Sequence, residues 1–335
     1  MKAKRIGVVM GGTSAEREVS LRSGAAVADA LSQAGHEVVC LELGPDTDAG
    51  ALLRKARLDL AFLALHGSYG EDGCVQGLLE LLQIPYTGSG VLASALAMDK
   101  LKSKELFRLH NVPTPPYYVF GPGDDLADIE ALHGSFGFPV VVKPRSQGSS
   151  IGVARANNLL ELAAALRSAL QHDRSALIER FIAAREVHVG ILGDRVLGAI
   201  EVAPKGGFFD YRAKYTPGLT ETFMPARLPA ARLRGVLNLA ERAAAALDTR
   251  GAVRVDLLVT EGQNEYVLEV NTLPGMTPES LLPKIAAAAG FEFHELCAAI
   301  AETATLHVGG ERGAQPLREV PAVPSSLDLE LSVAV

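Results

Sequence analysis

Residues 252–271 read A-V-R-V-D-L-L-V-T-E-G-Q-N-E-Y-V-L-E-V-N: two strand-like runs, Ala252 to Val259 and Glu265 to Val270, around the polar turn Glu261-Gly262-Gln263-Asn264. If Glu261 pairs with Asn264, Asp256 lies opposite Glu269 and Arg254 opposite Asn271. Side chains alternate along a strand, so these four share one face, while Val253, Val255, Leu257, Leu268 and Val270 share the other and can be buried. Opposed like charges are unfavourable without a cation between them. Oxygen-only ligands of this kind suit Mg²⁺, which takes one or two carboxylates and completes its shell with water and phosphates. A ladder of Arg/Asp/Glu ion pairs satisfies the same spacing, so both readings stand.

The start of the chain follows a different rule. Short apolar runs alternate with helical patterns: Arg5 to Met10, Val19 to Ala34, His36 to Leu43, Ala51 to Ala56, and Leu58 to Leu65. That alternation predicts an α/β, doubly wound parallel sheet. One further helix is expected over Val91 to Leu109, with Ser89 as its N-cap. The run Asn111-Val112-Pro113-Thr114-Pro115-Pro116 then breaks the pattern and places a domain boundary near residues 100 to 115. Beyond it the pattern is α+β, with strands at Val140 to Lys143, Ser150 to Val153, Ala176 to Glu179, Val187 to Leu192 and Val196 to Ile200. Gly193-Asp194 reads as a hairpin turn and Ala230 to Leu247 as a helix. From His307 to Val335 no period is evident, and a mobile tail is expected.

Composition narrows the function classes. With 48% hydrophobic and 21% charged residues, the chain has the apolar surface for real cores, which excludes disorder as its main state. A net charge of -7 without long Lys/Arg runs argues against nucleic acid as the principal partner. No apolar run is long enough for a membrane span or a secretory leader, so a cytoplasmic protein is expected. Cys40, Cys74 and Cys297 have no paired spacing, and neither a disulfide framework nor a zinc site is suggested.

Three further segments carry polar chemistry. Lys143-Pro144-Arg145-Ser146-Gln147-Gly148-Ser149-Ser150-Ile151-Gly152 sets a lysine at the end of an apolar strand before a Gly/Ser loop. Such a loop can wrap phosphates with its amides, or simply join two strands; it is not a Walker A, because the spacing differs and no helix follows. Met10-Gly11-Gly12-Thr13-Ser14-Ala15-Glu16 runs from strand to turn to helix without the dinucleotide fingerprint G-x-G-x-x-G, which argues against a Rossmann oxidoreductase. Glu16 either complements the helix dipole or receives a substrate ammonium. His66, in L-H-G-S-Y-G-E-D-G at 65 to 73, follows a strand C-terminus, where open α/β sheets place ligands.

In combination these segments resemble the D-alanine-D-alanine ligases of the ATP-grasp superfamily, over residues 5 to 303. The matching motifs include G-G-T-S-A-E-R-E-V-S at 11 to 20, A-L-H-G at 64 to 67, Y-T-G-S-G at 86 to 90 and M-D-K at 98 to 100. They continue with K-P at 143, G-S-S-I-G at 148 to 152, D-Y-R-A-K-Y at 210 to 215, R-V-D at 254 to 256 and E-V-N-T-L-P-G-M-T at 269 to 277. Phe181 stands where some members carry Trp, and the tail beyond about residue 305 has no counterpart.

The resemblance implies a doubly wound N-terminal domain (1–105), a two-domain ATP-grasp fold (106–185 and 186–305) and a flexible tail (306–335). It implies ATP-dependent joining of two D-alanines through an acylphosphate for peptidoglycan precursor synthesis, in a cytoplasmic homodimer without nucleic-acid or membrane partners. D-lactate or D-serine as second substrate, and a non-catalytic ATP-binding module, are the alternatives. By the same resemblance Lys100, Lys143 and Lys214 contact phosphates, Glu179 and the backbone of Phe181 and Ile182 hold adenine, Leu268 packs on its ring, and Glu186 binds ribose. Asp256, Glu269 and Asn271 would hold two Mg²⁺, with Mn²⁺ as a substitute. His66 and Ser280 would bind substrate, Arg254 and the Gly275 amide would form an oxyanion hole, and Glu16, Ser149 and Tyr215 would link the first-substrate site to a lid around Tyr211 to Tyr215.

Overall fold

Alternation of apolar strands and amphipathic helices at the start of the chain builds a parallel sheet in the order β2 (Glu37–Leu43), β1 (Arg5–Gly11), β3 (Leu60–Leu63). The computed structural model describes residues 3–206, 216, 218–262 and 264–308. Side-chain alternation along β1 decides what each face of this sheet meets. Ile6, Val8 and Met10 face α1 (Arg17–Gln33), whereas Val9 faces Leu53 of α2 (Ala49–Ala56) and Val75 and Leu79 of α3 (Cys74–Leu81). Every residue of β3 is buried, as a strand covered on both faces requires. Tyr86 extends the sheet by a parallel bridge to Ala61 and receives Thr305 on its other side, so the end of the described chain returns to the N-terminal sheet.

The expected helix over 91–109 is two helices, α4 (Val91–Met98) and α5 (Lys100–Leu109). Asp99 breaks it: its backbone is extended (φ −82°, ψ 97°), and its carboxylate accepts from the Leu101 and Lys102 amides at 3.1 Å each. Aspartate competes with the helical backbone in this way, and Arg145 holds the same carboxylate at 2.8 and 2.5 Å. Ser89 does not cap α4, which starts from Gly90; its hydroxyl instead donates to the Arg250 carbonyl and accepts from the Arg250 amide.

A second sheet, antiparallel, has the order β4 (Tyr117–Phe120), β7 (Ala176–Arg180), β5 (Val140–Pro144), β6 (Ala154–Ala156), with α6 (Ile129–His133) and α7 (Leu159–Ala169) on its apolar face. The strand expected over Ser150 to Val153 is a turn. Ser149, Ser150 and Gly152 have φ of 48°, 57° and 68°, which takes the loop out of strand geometry until Ala154.

The third sheet is antiparallel in the order β10 (Thr220–Phe223), β9 (Arg195–Pro204), β8 (Arg185–Leu192), β11 (Ala252–Val259), β12 (Glu265–Asn271). The β8–β9 hairpin turns at Gly193-Asp194 as its sequence requires. Helix α8 (Ala230–Ala246) seats Val236, Leu239, Ala240 and Ala243 on Val187, Val255, Leu257 and Val267. Two last helices, α9 (Leu281–Ala288) and α10 (Phe293–Glu302), pack with α1 in one core and join the first and third sheets.

The β11–β12 hairpin keeps the expected pairs Arg254 with Asn271 and Asp256 with Glu269, but by another route. Val259 pairs with Glu265 and the Thr260 amide donates to the Asn264 carbonyl at 3.1 Å, so the turn is one residue longer than expected. A register shift after Asp256 pairs Leu257 with Val267 and restores the count, leaving Leu268 as the extra residue of a β-bulge. Leu268 therefore does not join the core face. Val267, fully buried, takes that place, and Leu268 lines a cavity beside Glu269.

Candidate active site

Two cavities of about 690 and 320 Å³ lie where the three sheets converge, and Lys100, Gly148, Ser149 and Glu269 border both. The smaller lies between the second and third sheets, and Lys143, Glu179, Phe181, Ile182, Glu186 and Leu268 all line it. The Phe181 amide donates to the Pro139 carbonyl at 3.0 Å, so of that residue's backbone only the carbonyl remains for a ligand. The Phe181 ring lies 4.2 Å beneath the Arg155 guanidinium.

Glu179 does not stand as a simple acceptor. Its carboxylate is buried between Lys143, 2.8 Å away, and Lys104, 3.0 Å away. Burial alone would raise its pKa, but the two lysines hold it down at about 2. Burial lowers Lys104 to about 8, while the attraction of Glu179 outweighs burial at Lys143 and raises it. Lys100 donates to the Gln147 carbonyl at 2.7 Å and lies 3.5 Å from Glu269.

Strand pairing places the acidic face on the border of the two cavities. One Asp256 oxygen accepts from Arg254 Nε at 2.7 Å and meets His188 Nδ1 at 2.6 Å; the other accepts from the Arg254 fork at 2.9 Å. His188 reaches Glu186 with Nε2 at 3.3 Å, so one buried imidazole joins the two carboxylates. Burial would raise Asp256, but Arg254 and His188 pull it well below the usual carboxylate range. Asn271 Oδ1 accepts from the Leu273 amide at 3.2 Å. Among the described residues no group of three or more His, Cys, Asp or Glu could hold a metal; the set here is two opposed carboxylates and an amide. Each carboxylate oxygen has a second lone pair, so the set suits a hard cation that keeps water or phosphate in its shell.

Glu16, His66, Arg254, Gly275 and Ser280 line the larger cavity. Glu16 stands at the N-cap of α1 without capping it, and its carboxylate accepts from the Ser149 hydroxyl. Gly148 lies close against this carboxylate: a Cβ there would come within 2.6 Å of Glu16 Oε2 and displace it. His66 is buried with no hydrogen-bond partner at Nε2 among the described residues. Burial, reinforced by Arg254, lowers it to about 4, so the ring is neutral near pH 7. A Cβ on Gly275 would meet the Ser280 hydroxyl at 2.9 Å, so its backbone lies close against the N-terminus of α9. Lys214, Tyr215 and the expected lid over Tyr211 to Tyr215 lie outside the described residues, as does the tail from 309 onward.

The structure adds three groups that sequence reasoning passed over: Lys104, His188 and Glu71. Glu71 lies in the quoted loop after His66, accepts from the Gly67 amide at 2.7 Å and lines the larger cavity. Burial, with the charge of Glu16 beside it, raises its pKa to about 8. Stability tied to a raised folded-state pKa is complete below the unfolded value and is lost as pH rises through the folded one. The Tm advantage of Glu71→Gln over the parent is therefore expected to grow between about pH 5 and about pH 8 and then level off. Calorimetry across that range checks it, and a pH-independent difference would contradict the protonated state.

Family models described as D-ala D-ala ligase N-terminus and C-terminus match residues 44–89 and 106–302. A D-alanine-D-alanine ligase of Geotalea uraniireducens is 52% identical over 310 residues, which span 92% of this chain and 98% of that protein. One from Anaeromyxobacter dehalogenans is 50% identical over 303 residues, 90% of this chain and 97% of the other. Among solved structures, D-alanine-D-alanine ligase of Bacillus anthracis complexed with ATP superposes with a TM-score of 0.78 at 37% identity, covering 90% of this chain and 97% of that one. The VanG D-Ala:D-Ser ligase of Enterococcus faecalis gives 0.78 at 29% identity, covering 90% and 99%. No helix among the described residues is long and apolar enough to cross a membrane.

Proposed function

Because the chain belongs to the D-alanine-D-alanine ligase family, we propose that it joins two D-alanines with ATP to give D-alanyl-D-alanine, ADP and phosphate. The observation that carries this reading is the pair of joined cavities. The smaller is lined by Lys143, Glu179, Glu186 and Leu268, cationic at one end and apolar at the other; the larger holds Glu16, the unpartnered Nε2 of neutral His66 and the start of α9. Lys100 and Glu269 stand at their border, where the two reactants would meet.

In this reading the carboxylate of the first D-alanine attacks the γ-phosphorus of ATP and displaces ADP, and the free amine of the second attacks the resulting acylphosphate carbonyl, losing a proton and expelling phosphate. Lys100, Lys143 and Lys214 neutralise the phosphates, and Glu179, the Phe181 carbonyl, the Ile182 backbone and Leu268 receive adenine, with Glu186 on the ribose. Glu16 receives the first ammonium, backed by Ser149 and Tyr215, and His66 meets the first substrate through Nε2. Ser280 and the amides of α9 hold the second carboxylate. Arg254 and the Gly275 amide stabilise the oxyanion of the tetrahedral species, so catalysis is positioning plus charge stabilisation. Asp256, Glu269 and Asn271 would hold two Mg²⁺, which when bound neutralise the triphosphate and align its γ-phosphoryl group. The product would enter peptidoglycan precursor synthesis in the cytoplasm, and a homodimer is carried over from the family resemblance.

ADP release measured with D-alanine, L-alanine, D-serine and D-lactate tests the assignment. Release should require D-alanine and yield the dipeptide, and its absence with D-alanine would leave only an ATP-binding module. A site shaped for an attacking amine should favour D-alanine over D-lactate increasingly as pH rises and more free amine is present. Equal depsipeptide and dipeptide formation near neutral pH would point to the D-lactate alternative.

A further inference from the structure

Glu179 has two lysines on one carboxylate, yet only one of them borders the cavity. Lys143 does, with 14% of its side chain exposed. Lys104 on α5 does not: its side chain is 1% exposed, Nζ sits 2.5 Å from the Thr114 hydroxyl and 3.0 Å from Glu179, and it lies 5.5 Å from the centre of the Tyr117 ring. Glu269 acts through space on both lysines and Glu186 on Lys143, but the carboxylate in contact with either is Glu179, which they share, so Lys143 can exchange it for another anion without leaving it unpaired. The nucleotide is such an anion.

We propose that Lys104 is a positioning residue, the standing counter-ion of Glu179 that frees Lys143 to leave this carboxylate for the phosphates when ATP enters. Were Lys143 the sole partner, its departure would strand a buried carboxylate, and nucleotide binding would bear that cost. With Lys104 tethered by Thr114, Glu179 stays paired while Lys143 moves. Lys104 cannot substitute for Lys143, since it lies behind the cavity wall. The inference rests on the reading of Lys143 as a phosphate ligand.

The test compares inhibition constants of ADP and adenosine, and the KM for D-alanine, in Lys104→Met and in the parent enzyme. Adenosine carries no phosphate and leaves Lys143 on Glu179, so it should bind the variant within about twofold of the parent, while ADP weakens about tenfold or more, the scale of one charge-assisted contact. The D-alanine KM should hold. Equal weakening of adenosine and ADP, or no weakening of either, would overturn the proposal, since a merely structural lysine would not discriminate between them. Thr114→Val removes the tether and not the charge; it should shift ADP alone, by less, and it decides the matter if Lys104→Met does not fold. Lys143→Met separates the two readings. Unchanged ADP affinity there removes the phosphate role of Lys143, whereas weakened ADP there with a silent Lys104→Met removes only the present proposal.

Discussion

An Asp256→Asn enzyme is expected to keep its fold and lose turnover by about three orders of magnitude at saturating ATP and D-alanine. The side chain is isosteric, but the site around it is built for a full negative charge. Both oxygens already receive the Arg254 fork and one meets His188, at 2.6 to 2.9 Å. An amide would turn its NH₂ toward one of these donors and would offer a cation a neutral ligand. Steady-state rates across an Mg²⁺ titration check this, together with Glu269→Gln, because Glu269 lies opposite Asp256 in the same register. Parent-like turnover in either variant at saturating Mg²⁺ would remove the metal assignment.

Arg254→Lys should be nearly as damaging, lowering kcat by about 10² to 10³ while moving the KM for ATP little. The guanidinium makes two parallel bonds to Asp256 and lines the larger cavity, where its charge adds to the burial that keeps His66 neutral. A lysine keeps the charge but is a single point, so it can satisfy Asp256 or face the reacting carbonyl and not both. Pre-steady-state ADP formation compared with phosphate release distinguishes the steps: acylphosphate formation, which yields ADP, should suffer less than attack upon it, which yields phosphate. A kcat within about tenfold of the parent would argue against an oxyanion role for Arg254.

Much of this site was legible because its parts are local. Lys143-Pro144 ahead of Gly148-Ser149 announces the end of an apolar strand and a Gly/Ser loop, though not the left-handed Ser149 and Ser150 that keep the expected strand from starting there, and Leu65-His66-Gly67 announces the exit of a buried strand; each depends on nearby residues of the chain. The split of the helix at Asp99 was equally local, since an aspartate before Lys100 is a helix N-cap, but periodicity alone ran across it. Lys104 and His188 were hidden for a different reason. Lys104 is four residues from Lys100 on α5; the helix seats Phe107 in the core of the third sheet and α8, and only that tertiary placement brings Lys104 to Glu179 on β7. His188 meets Asp256 because β8 pairs with β11 across 68 residues.

By itself the sequence determined the two kinds of sheet and the opposition of Asp256 to Glu269, because alternation and motif spacing are properties of consecutive residues. Tertiary structure decided where Leu268 goes. Strict alternation sends it into the core, yet it lines the smaller cavity, because a longer turn at Thr260–Asn264 and a bulge offset each other. A bulge is selected by what lies on each side of the hairpin: α8 takes Val267 into its core and leaves Leu268 for the cavity beside Glu269. Strand arithmetic has no term for that choice. The protonated state of Glu71 and the neutral ring of His66 arise in the same way, from burial beside charges brought in by other elements, Glu16 from α1 and Arg254 from β11.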